Sequence, residues 1–284
     1  MARLTVKEIL DKAVGFFKEH QLTNPRLDAE VLLADILEMQ RIKLYVNFNR
    51  PLTKEEIDRY RELIVARSQG QPVAYLLGEQ EFMSLDFEVN SNVLIPRPET
   101  EHLVETILEK IDQNDEEKIR VADIGTGSGA IIISLIKLAD KKVQGVGIDI
   151  SNTALELAYK NALHHEVAGK IEFKEGNLVQ PLDEPVDMIV SNPPYIPTND
   201  LEDLQEEVKQ EPSLALDGGA DGLKFYRQII KQAAKKLTEA GLIAFEVGIK
   251  QAEDVADLLK QTGFKEIEII EDYAEIKRVV LGRL

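Results

Sequence analysis

The segment Asn192–Tyr195, in which two prolines separate an asparagine from a tyrosine, has a composition suited to holding a planar NH2 group. It follows an apolar run at residues 186–190 that predicts a buried parallel strand. Open α/β sheets bind ligands at the carboxyl ends of their strands, where Asn192 would lie. Each proline ring fixes φ and removes an N–H donor, so the carbonyl groups of Asn192 and Pro193 stay available as acceptors. We therefore predict a rigid acceptor site with an aromatic wall, fitted to an amide or an exocyclic base amine.

A glycine-rich turn, DIGTGSG at residues 123–129, follows an earlier predicted strand and precedes a predicted helix. Glycines there permit a tight turn and close approach of a ligand to the backbone. Alone, such a turn also fits a dinucleotide site or a simple packing turn. Asp149 ends the next predicted strand, near the spacing of about 20 residues expected for an acid that binds ribose hydroxyls. Together the two features predict a bound nucleoside.

The spacing of the glycines and the charge beside them indicate which nucleoside-containing ligand the site binds. The turn has Gly-x-Gly-x-Gly spacing, and Asp123 lies just before it. A carboxylate at that position would repel a pyrophosphate but suits a ligand with an ammonium and a sulfonium group. We therefore predict S-adenosylmethionine rather than NAD. Asn177 could bond the adenine edge and Leu178 could cover the ring, although both also fit as ordinary loop residues.

The elements that must position these residues alternate between strand and helix from residue 119 onward. The predicted strands are residues 120–123, 143–149, 171–174, 186–191, 242–247, 266–271 and 278–281. The last two have no helix between them and must pair antiparallel through a short connection. The pattern predicts an α/β fold, with a doubly wound, mostly parallel seven-stranded sheet that ends in an antiparallel hairpin. This is the arrangement of class I methyltransferases.

The amino-terminal part of the chain has a different pattern. Residues 1–75 predict a small helical bundle, with capping boxes at Thr5 and Thr53. Such a bundle usually binds or positions a partner, so we predict a substrate-recognition domain, although a purely structural role is also open. Residues 76–95 alternate in polarity and predict a β-hairpin linker, which leaves 96–284 as the methyltransferase domain.

Composition limits the possible partners. The chain of 284 residues has a net charge of -17, which disfavours a partner bound through phosphates, although acidity also simply serves solubility. It has no cysteine, and we predict neither a disulfide nor a metal site. The first ten residues are too polar for a signal peptide, and no apolar run approaches the ~18 residues that span a bilayer. We expect a cytoplasmic monomer with no membrane association and no stable nucleic-acid partner.

Five motifs together resemble the bacterial release-factor glutamine methyltransferases over nearly the whole chain. They are DIGTGSG at 123–129, IDIS at 148–151, SNPPY at 191–195, PRPETE at 96–101 and EPSLALDGGADGL at 211–223. The Asn-Pro-Pro-Tyr motif alone is shared with adenine-N6 DNA methyltransferases and some RNA methyltransferases. The last two motifs are much more specific to the glutamine enzymes.

The resemblance implies methyl transfer from S-adenosylmethionine to the side-chain amide nitrogen (N5) of the glutamine in the Gly-Gly-Gln motif of class I peptide chain release factors. The residues that we predict to carry this chemistry are Asn192, Pro193, Pro194 and Tyr195. The predicted cofactor contacts are Gly125, Thr126, Gly127, Ser128, Gly129, Asp149, Asn177, Leu178 and Asn192.

Other functions remain compatible with these residues. One is an adenine-N6 or other amine methyltransferase that acts on nucleic acid, and another is a ribosomal-protein glutamine methyltransferase. A non-enzymatic alternative is an adaptor that binds S-adenosylmethionine and a translation factor. Glu99, Glu101 and Glu246 are possible site carboxylates or ordinary charges at element ends, and His164 and His165 are expected to be solvated.

Overall fold

A computed structural model describes residues 4–284 of the chain. The chain forms two compact units. The first comprises the residues up to Gly78 together with Gln205–Gln210, and the second comprises Glu79–Leu204 and Glu211–Leu284.

The first unit is helical. Its helices are α1 (Val6–Glu19), α2 (Pro25–Ile36), α3 (Arg41–Val46), α4 (Lys54–Ser68) and α5 (Val73–Leu77). Thr5 and Thr53 form the predicted capping boxes. Each threonine side chain accepts from the N–H of the third helical residue, a glutamate, whose carboxylate accepts from the threonine N–H. Apolar faces of α1, α2 and α4 pack into one core. Arg67 on α4 joins Asp28 at 2.7 Å and Glu207 at 2.6 Å, so the segment Gln205–Gln210 is fastened to the helices by an ion pair.

The second unit begins with a hairpin of β1 (Glu79–Phe82) and β2 (Leu85–Glu88), which pair antiparallel. Its main sheet contains β3 (Lys118–Ile124), β4 (Lys142–Asp149), β5 (Ile171–Glu175), β6 (Val186–Ser191), β7 (Leu237–Glu246), β8 (Lys265–Glu271) and β9 (Lys277–Arg283). The strand order is β5-β4-β3-β6-β7-β9-β8, with only β9 antiparallel to its neighbours. The predicted class I methyltransferase sheet with its terminal hairpin is confirmed.

Helices α6 (Glu101–Asp112), α7 (Ala130–Leu138), α8 (Asn152–His164), α9 (Lys224–Ala233) and α10 (Ala252–Gln261) cover the two faces of this sheet, and each face has its own apolar core. The order of the strands reverses beside β3. The chain continues from β3 to β4 on one side of it, whereas β6 lies on the other side. A crevice for ligands forms at such a reversal, outside the carboxyl ends of the strands. Residues 225–237 have helical spacing in the sequence, but Leu237 pairs with Val186 and begins β7, so α9 ends at Ala233.

No helix among residues 4–284 is long and apolar enough to cross a bilayer.

Candidate active site

A cavity of about 370 Å3 lies at the carboxyl ends of β3, β4 and β6. Its lining comes from the glycine turn after β3, the end of β4, the loop after β5, and the Asn-Pro-Pro segment after β6. Two further segments complete it, residues 91–94 and the group Pro212, Leu214 and Ala215, together with Phe225 and Ile229 of α9. Residues 91–94 fall within the predicted linker, because nothing in their composition indicates that the chain returns to the end of the sheet.

The glycine turn is joined to the end of β4 by backbone and carboxylate hydrogen bonds. The N–H groups of Gly125 and Thr126 both donate to the Ile148 carbonyl, at 2.8 and 3.0 Å. Asp149 accepts from the Gly127 N–H and the Ser151 N–H, each at 2.9 Å. Burial raises the pKa of Asp149, and these N–H donors oppose that shift because they favour the ionised form. Asp149 lines the cavity as an acceptor that is already oriented.

The predicted cofactor contacts divide into two groups. Gly125, Gly127, Asp149, Asn177, Leu178 and Asn192 line the cavity, whereas Thr126, Ser128 and Gly129 do not. Those three are buried behind the turn. The Thr126 hydroxyl donates to Asp123 at 2.7 Å, and a Cβ at residue 129 would lie 2.8 Å from Ile133. Their contacts shape the turn and dock it onto α7.

Asp123, whose charge suggested a cationic ligand, is fully buried and does not line the cavity. Burial raises its pKa to about 7, the Thr126 hydrogen bond opposes this shift, and the nearby charge of Asp149 adds to it. One of its carboxylate oxygens, Oδ1, has no hydrogen-bond partner among the described residues. The role that geometry gives Asp123 is to hold the turn through Thr126.

Asn192 follows β6, and its side-chain Nδ2 donates to the Thr100 hydroxyl at 3.2 Å. Among residues 4–284 no backbone N–H bonds the Pro193 carbonyl oxygen, which leaves it open as an acceptor. Asn192, Pro193 and Pro194 line the cavity, and Tyr195 lies just beyond it. Burial raises the pKa of Tyr195 to about 12, so its phenol is neutral at ordinary pH.

Glycines from two other segments surround the Tyr195 backbone. A Cβ at residue 218 would lie 2.7 Å from the Tyr195 Cα, and one at residue 222 would lie 2.3 Å from its carbonyl oxygen. Gln251 Nε2 donates to the same oxygen at 3.0 Å. The Asp217-Gly-Gly-Ala-Asp-Gly222 motif therefore has a physical role that its sequence alone did not show. It allows the chain to pass directly against the residue that ends the Asn-Pro-Pro-Tyr segment.

Glu211 connects the two motifs that were most specific in the sequence. Its carboxylate accepts from the Ile95 N–H at 3.0 Å and forms an ion pair with Arg97. The Glu211 side chain is buried, so both partners are needed to compensate its charge. This contact places the Pro-Arg-Pro-Glu-Thr segment beside the loop that lines the cavity.

The remaining candidate residues differ in their surroundings. Glu99 is exposed, Glu101 accepts from the Met83 N–H at 2.7 Å, and Glu246 at the end of β7 is buried.

The expectation that His165 is solvated is wrong. Its ring is buried against Phe87 and bonds the Asp86 carbonyl at 2.8 Å, because α8 packs on the β1–β2 hairpin.

The chain matches two protein-family descriptions. Residues 8–78 match the PrmC N-terminal domain, and residues 99–218 match the methyltransferase small domain. Relatives named release factor glutamine methyltransferase align along nearly the whole chain. The protein from Geobacter sulfurreducens is 44% identical over 99% of this chain and 97% of its own length. The one from Clostridium acetobutylicum is 39% identical over 98% of each.

Solved structures with little sequence identity share the fold. A methyltransferase from Pyrococcus furiosus superposes with a TM-score of 0.53 at 15% identity and covers 71% of this chain and 90% of its own. The hMettl16 catalytic domain, in complex with a MAT2A 3'UTR hairpin, gives 0.58 at 15% identity and covers 81% of this chain and 82% of its own.

The sheet order, the glycine turn with Asp149 and the cavity at the switch point define a class I S-adenosylmethionine-dependent methyltransferase. The two matching domain descriptions and the sequence identity along the whole chain then specify the family. The chain belongs to the release factor glutamine methyltransferases.

Proposed function

We propose that this protein transfers the methyl group of S-adenosylmethionine to the N5 amide nitrogen of the glutamine in the Gly-Gly-Gln motif of class I peptide chain release factors. The observation that carries the proposal is the placement of Asn192 and Pro193 on the wall of the nucleoside-sized cavity. Whole-length identity with proteins named for release factor glutamine methylation supports the choice of substrate.

The cavity fits the cofactor in both space and chemistry. A Cβ at Gly125 would meet no atom within 4 Å, so the turn borders open space on its ligand side. Asp149 would accept from the ribose hydroxyls, Asn177 would bond the adenine edge, and Leu178 would cover the ring. When bound, S-adenosylmethionine supplies an electrophilic methyl group on its sulfonium. Thr126, Ser128 and Gly129 would hold the turn from behind.

The task of the protein is to make a weak nucleophile reactive. The nitrogen lone pair of an amide is delocalised into its carbonyl group. The Asn192 side-chain oxygen and the Pro193 carbonyl would each accept one hydrogen of the substrate NH2, which increases electron density on nitrogen and fixes its direction. Pro194 keeps the segment rigid, and Tyr195 packs against the amide plane. Positioning and fixed dipoles then supply most of the rate gain.

No general base is required in this scheme. The nitrogen becomes strongly acidic once it carries the new methyl group, and its proton leaves to solvent. Tyr195 does not compete as a base, because burial raises its pKa to about 12 and keeps the phenol protonated.

Selection of one protein substrate requires more surface than the four-residue segment offers. We assign that recognition to the helical residues 1–75, with a total contact area on the order of 1,000 Å2 or more. The acidic chain, with a net charge of -17, fits a protein substrate better than a phosphate backbone. We place the reaction in the cytoplasm and assign it to a monomer.

One labelling experiment tests the function. The purified protein is incubated with tritiated S-adenosylmethionine and, in parallel, with release factor, DNA, RNA or ribosomal protein. We expect label only on the release factor, and none on a release factor whose Gly-Gly-Gln glutamine is replaced by alanine. Label on nucleic acid or on ribosomal protein would overturn the proposal, as would label that persists on the alanine variant.

A further inference from the structure

The backbone carbonyl of Tyr195 ends the Asn-Pro-Pro-Tyr segment, and a side chain from a distant part of the chain bonds it. Gln251, the residue just before α10, donates from Nε2 to this oxygen at 3.0 Å. Among residues 4–284 no backbone N–H donates to the same oxygen. The segment is therefore connected at its carboxyl end to the start of α10, in addition to its covalent connection to β6.

A second hydrogen bond fixes the orientation of the Gln251 amide. Its Oε1 accepts from the Gly248 N–H at 3.1 Å. A backbone N–H can only donate and a carbonyl oxygen can only accept, so the reversed amide would satisfy neither Gly248 nor Tyr195. The backbone N–H of Gln251 also donates to the Gly248 carbonyl at 3.1 Å, which closes the turn that carries the side chain. The NH2 group is thus directed at Tyr195 without any contribution from a substrate.

Two glycines lie directly against this amide. A Cβ at residue 222 would be 2.4 Å from Gln251 Nε2, and a Cβ at residue 248 would be 2.7 Å from Oε1. The Cβ at residue 248 would also be 3.0 Å from Cδ2 of the Tyr195 ring. The φ of Gly248 is not positive, so close approach and not backbone conformation accounts for glycine there. The Gln251 amide and the Tyr195 ring therefore pack against the same backbone.

We propose that Gln251 is a positioning residue that holds Tyr195 with its ring toward the substrate amide. Pro193 and Pro194 restrict their own φ angles but leave the torsions of Tyr195 free. The bond from Gln251 restricts the ψ of Tyr195, because rotation about ψ would carry the carbonyl oxygen away from Nε2. This inference rests on the proposed function, in which the Tyr195 ring packs against the amide that is methylated.

The two bonds of Gln251 can be separated by substitution. Gln251→Glu keeps an oxygen for the Gly248 N–H and loses the donor to Tyr195, whereas Gln251→Met has a similar length and loses both bonds. If Gln251 only closed the turn before α10, Gln251→Glu would retain the kcat of the parent. We expect both variants to lower kcat on release factor by about tenfold or more, through misplacement of a group at the reacting nitrogen. KM for release factor and the affinity for S-adenosylmethionine should stay within about threefold of the parent.

The matched control is Gln261→Glu, at the exposed last residue of α10, which adds the same charge to the same helix. It should retain the kcat of the parent. Melting temperatures show whether each variant is folded. Full kcat in Gln251→Glu would overturn the inference, since the donor to Tyr195 would then be dispensable. Full kcat in Gln251→Met would also overturn it, and would assign any loss in Gln251→Glu to the added charge.

A double-mutant cycle tests whether Gln251 acts through Tyr195. Once the Tyr195 ring is removed, holding its backbone should matter little, so Gln251→Met should lower kcat much less in Tyr195→Ala than in the parent. If Gln251→Met does not fold, Gln251→Glu takes its place in the cycle. Equal fold-losses in the two backgrounds would overturn the inference. Failure of the unmodified chain to label release factor would instead contradict the proposed function, so the two failures are separable.

Discussion

Gly222 lies directly against the carbonyl oxygen of Tyr195, so that a Cβ at residue 222 would be 2.3 Å from it. The φ of Gly222 is +74°, a region that other residues seldom adopt. Close approach and backbone conformation therefore both require glycine. Through this contact the loop of residues 211–223 fixes the position of the segment that grips the substrate.

Gly222→Ala should lower kcat on release factor and reduce stability, because the backbone of Tyr195 must move to accept the methyl group. The matched control is Gly263→Ala, where φ is +97° and no atom lies within 4 Å of a Cβ. In the control, backbone strain should lower the free energy of unfolding by about 1–2 kcal/mol and leave kcat unchanged. Urea unfolding and steady-state kinetics measure both variants. Equal kcat in the two would show that the Gly222 contact does not position Tyr195.

Asp149→Ala should weaken binding of S-adenosylmethionine by about 1.5–3 kcal/mol, the range for a charge-assisted hydrogen bond. The carboxylate also accepts from Gly127 and Ser151, so part of the loss comes from the loosened turn. Titration calorimetry provides the affinity. Asp183→Ala, at an exposed position outside the cavity, is the control. Unchanged affinity in Asp149→Ala would show that this residue does not hold the cofactor.

Asn192→Ala should reduce kcat far more than it changes the melting temperature or the affinity for S-adenosylmethionine, because its main partner would be the substrate amide. Asn192→Asp is an informative companion, since it retains an acceptor oxygen but replaces the NH2 group that donates to Thr100 with a second oxygen and adds a negative charge. We expect it to retain more activity than the alanine variant. Near-normal turnover of Asn192→Ala on intact release factor would contradict the proposed role of Asn192 as an acceptor for the substrate amide.

The contribution of Asp123 to the stability of the cofactor-free protein should decrease as the pH rises from about 4 to about 7, because burial raises the pKa of Asp123 from 3.8 to about 7. In that interval the folded state binds a proton that the unfolded state has released, so the free energy of unfolding declines. Asp123→Asn should reduce the decline, and Asp200→Asn, at an exposed position, should not. Urea unfolding at several pH values measures this. An unchanged slope in Asp123→Asn would contradict the assignment.

The exposed apolar side chains on α3 offer a test of substrate recognition in the full-length chain. Ile42 is 67% exposed and Val46 is 78% exposed, one helical turn apart. Replacing both with aspartate should raise KM for intact release factor by about tenfold or more if this face contacts the substrate. Cofactor affinity should not change. Leu163→Asp, a 54% exposed position on α8, is the matched control, and equal KM values in the two variants would exclude this face.

Local chemistry in the sequence was sufficient to predict the strand–helix alternation, the capping boxes at Thr5 and Thr53, and the turn that ends at Gly129. These features depend on residues close together in the chain, where periodicity and glycine or proline conformations act directly. The same reasoning placed Asn192 at a strand end, because a buried strand has to stop where polar residues begin.

Only the tertiary structure decided which distant residues meet that strand end. Thr100, Glu211, Gly222 and Glu246 come from separate segments, and the sheet order brings them around Asn192 and Tyr195. Tertiary burial also reassigned Asp123 from the ligand side to the back of the turn, and placed His165 inside a core. Sequence patterns report which side chains are apolar and what the local backbone permits. Burial of a polar group and the choice of its partner depend on contacts between distant segments, which form only when the sheet is assembled.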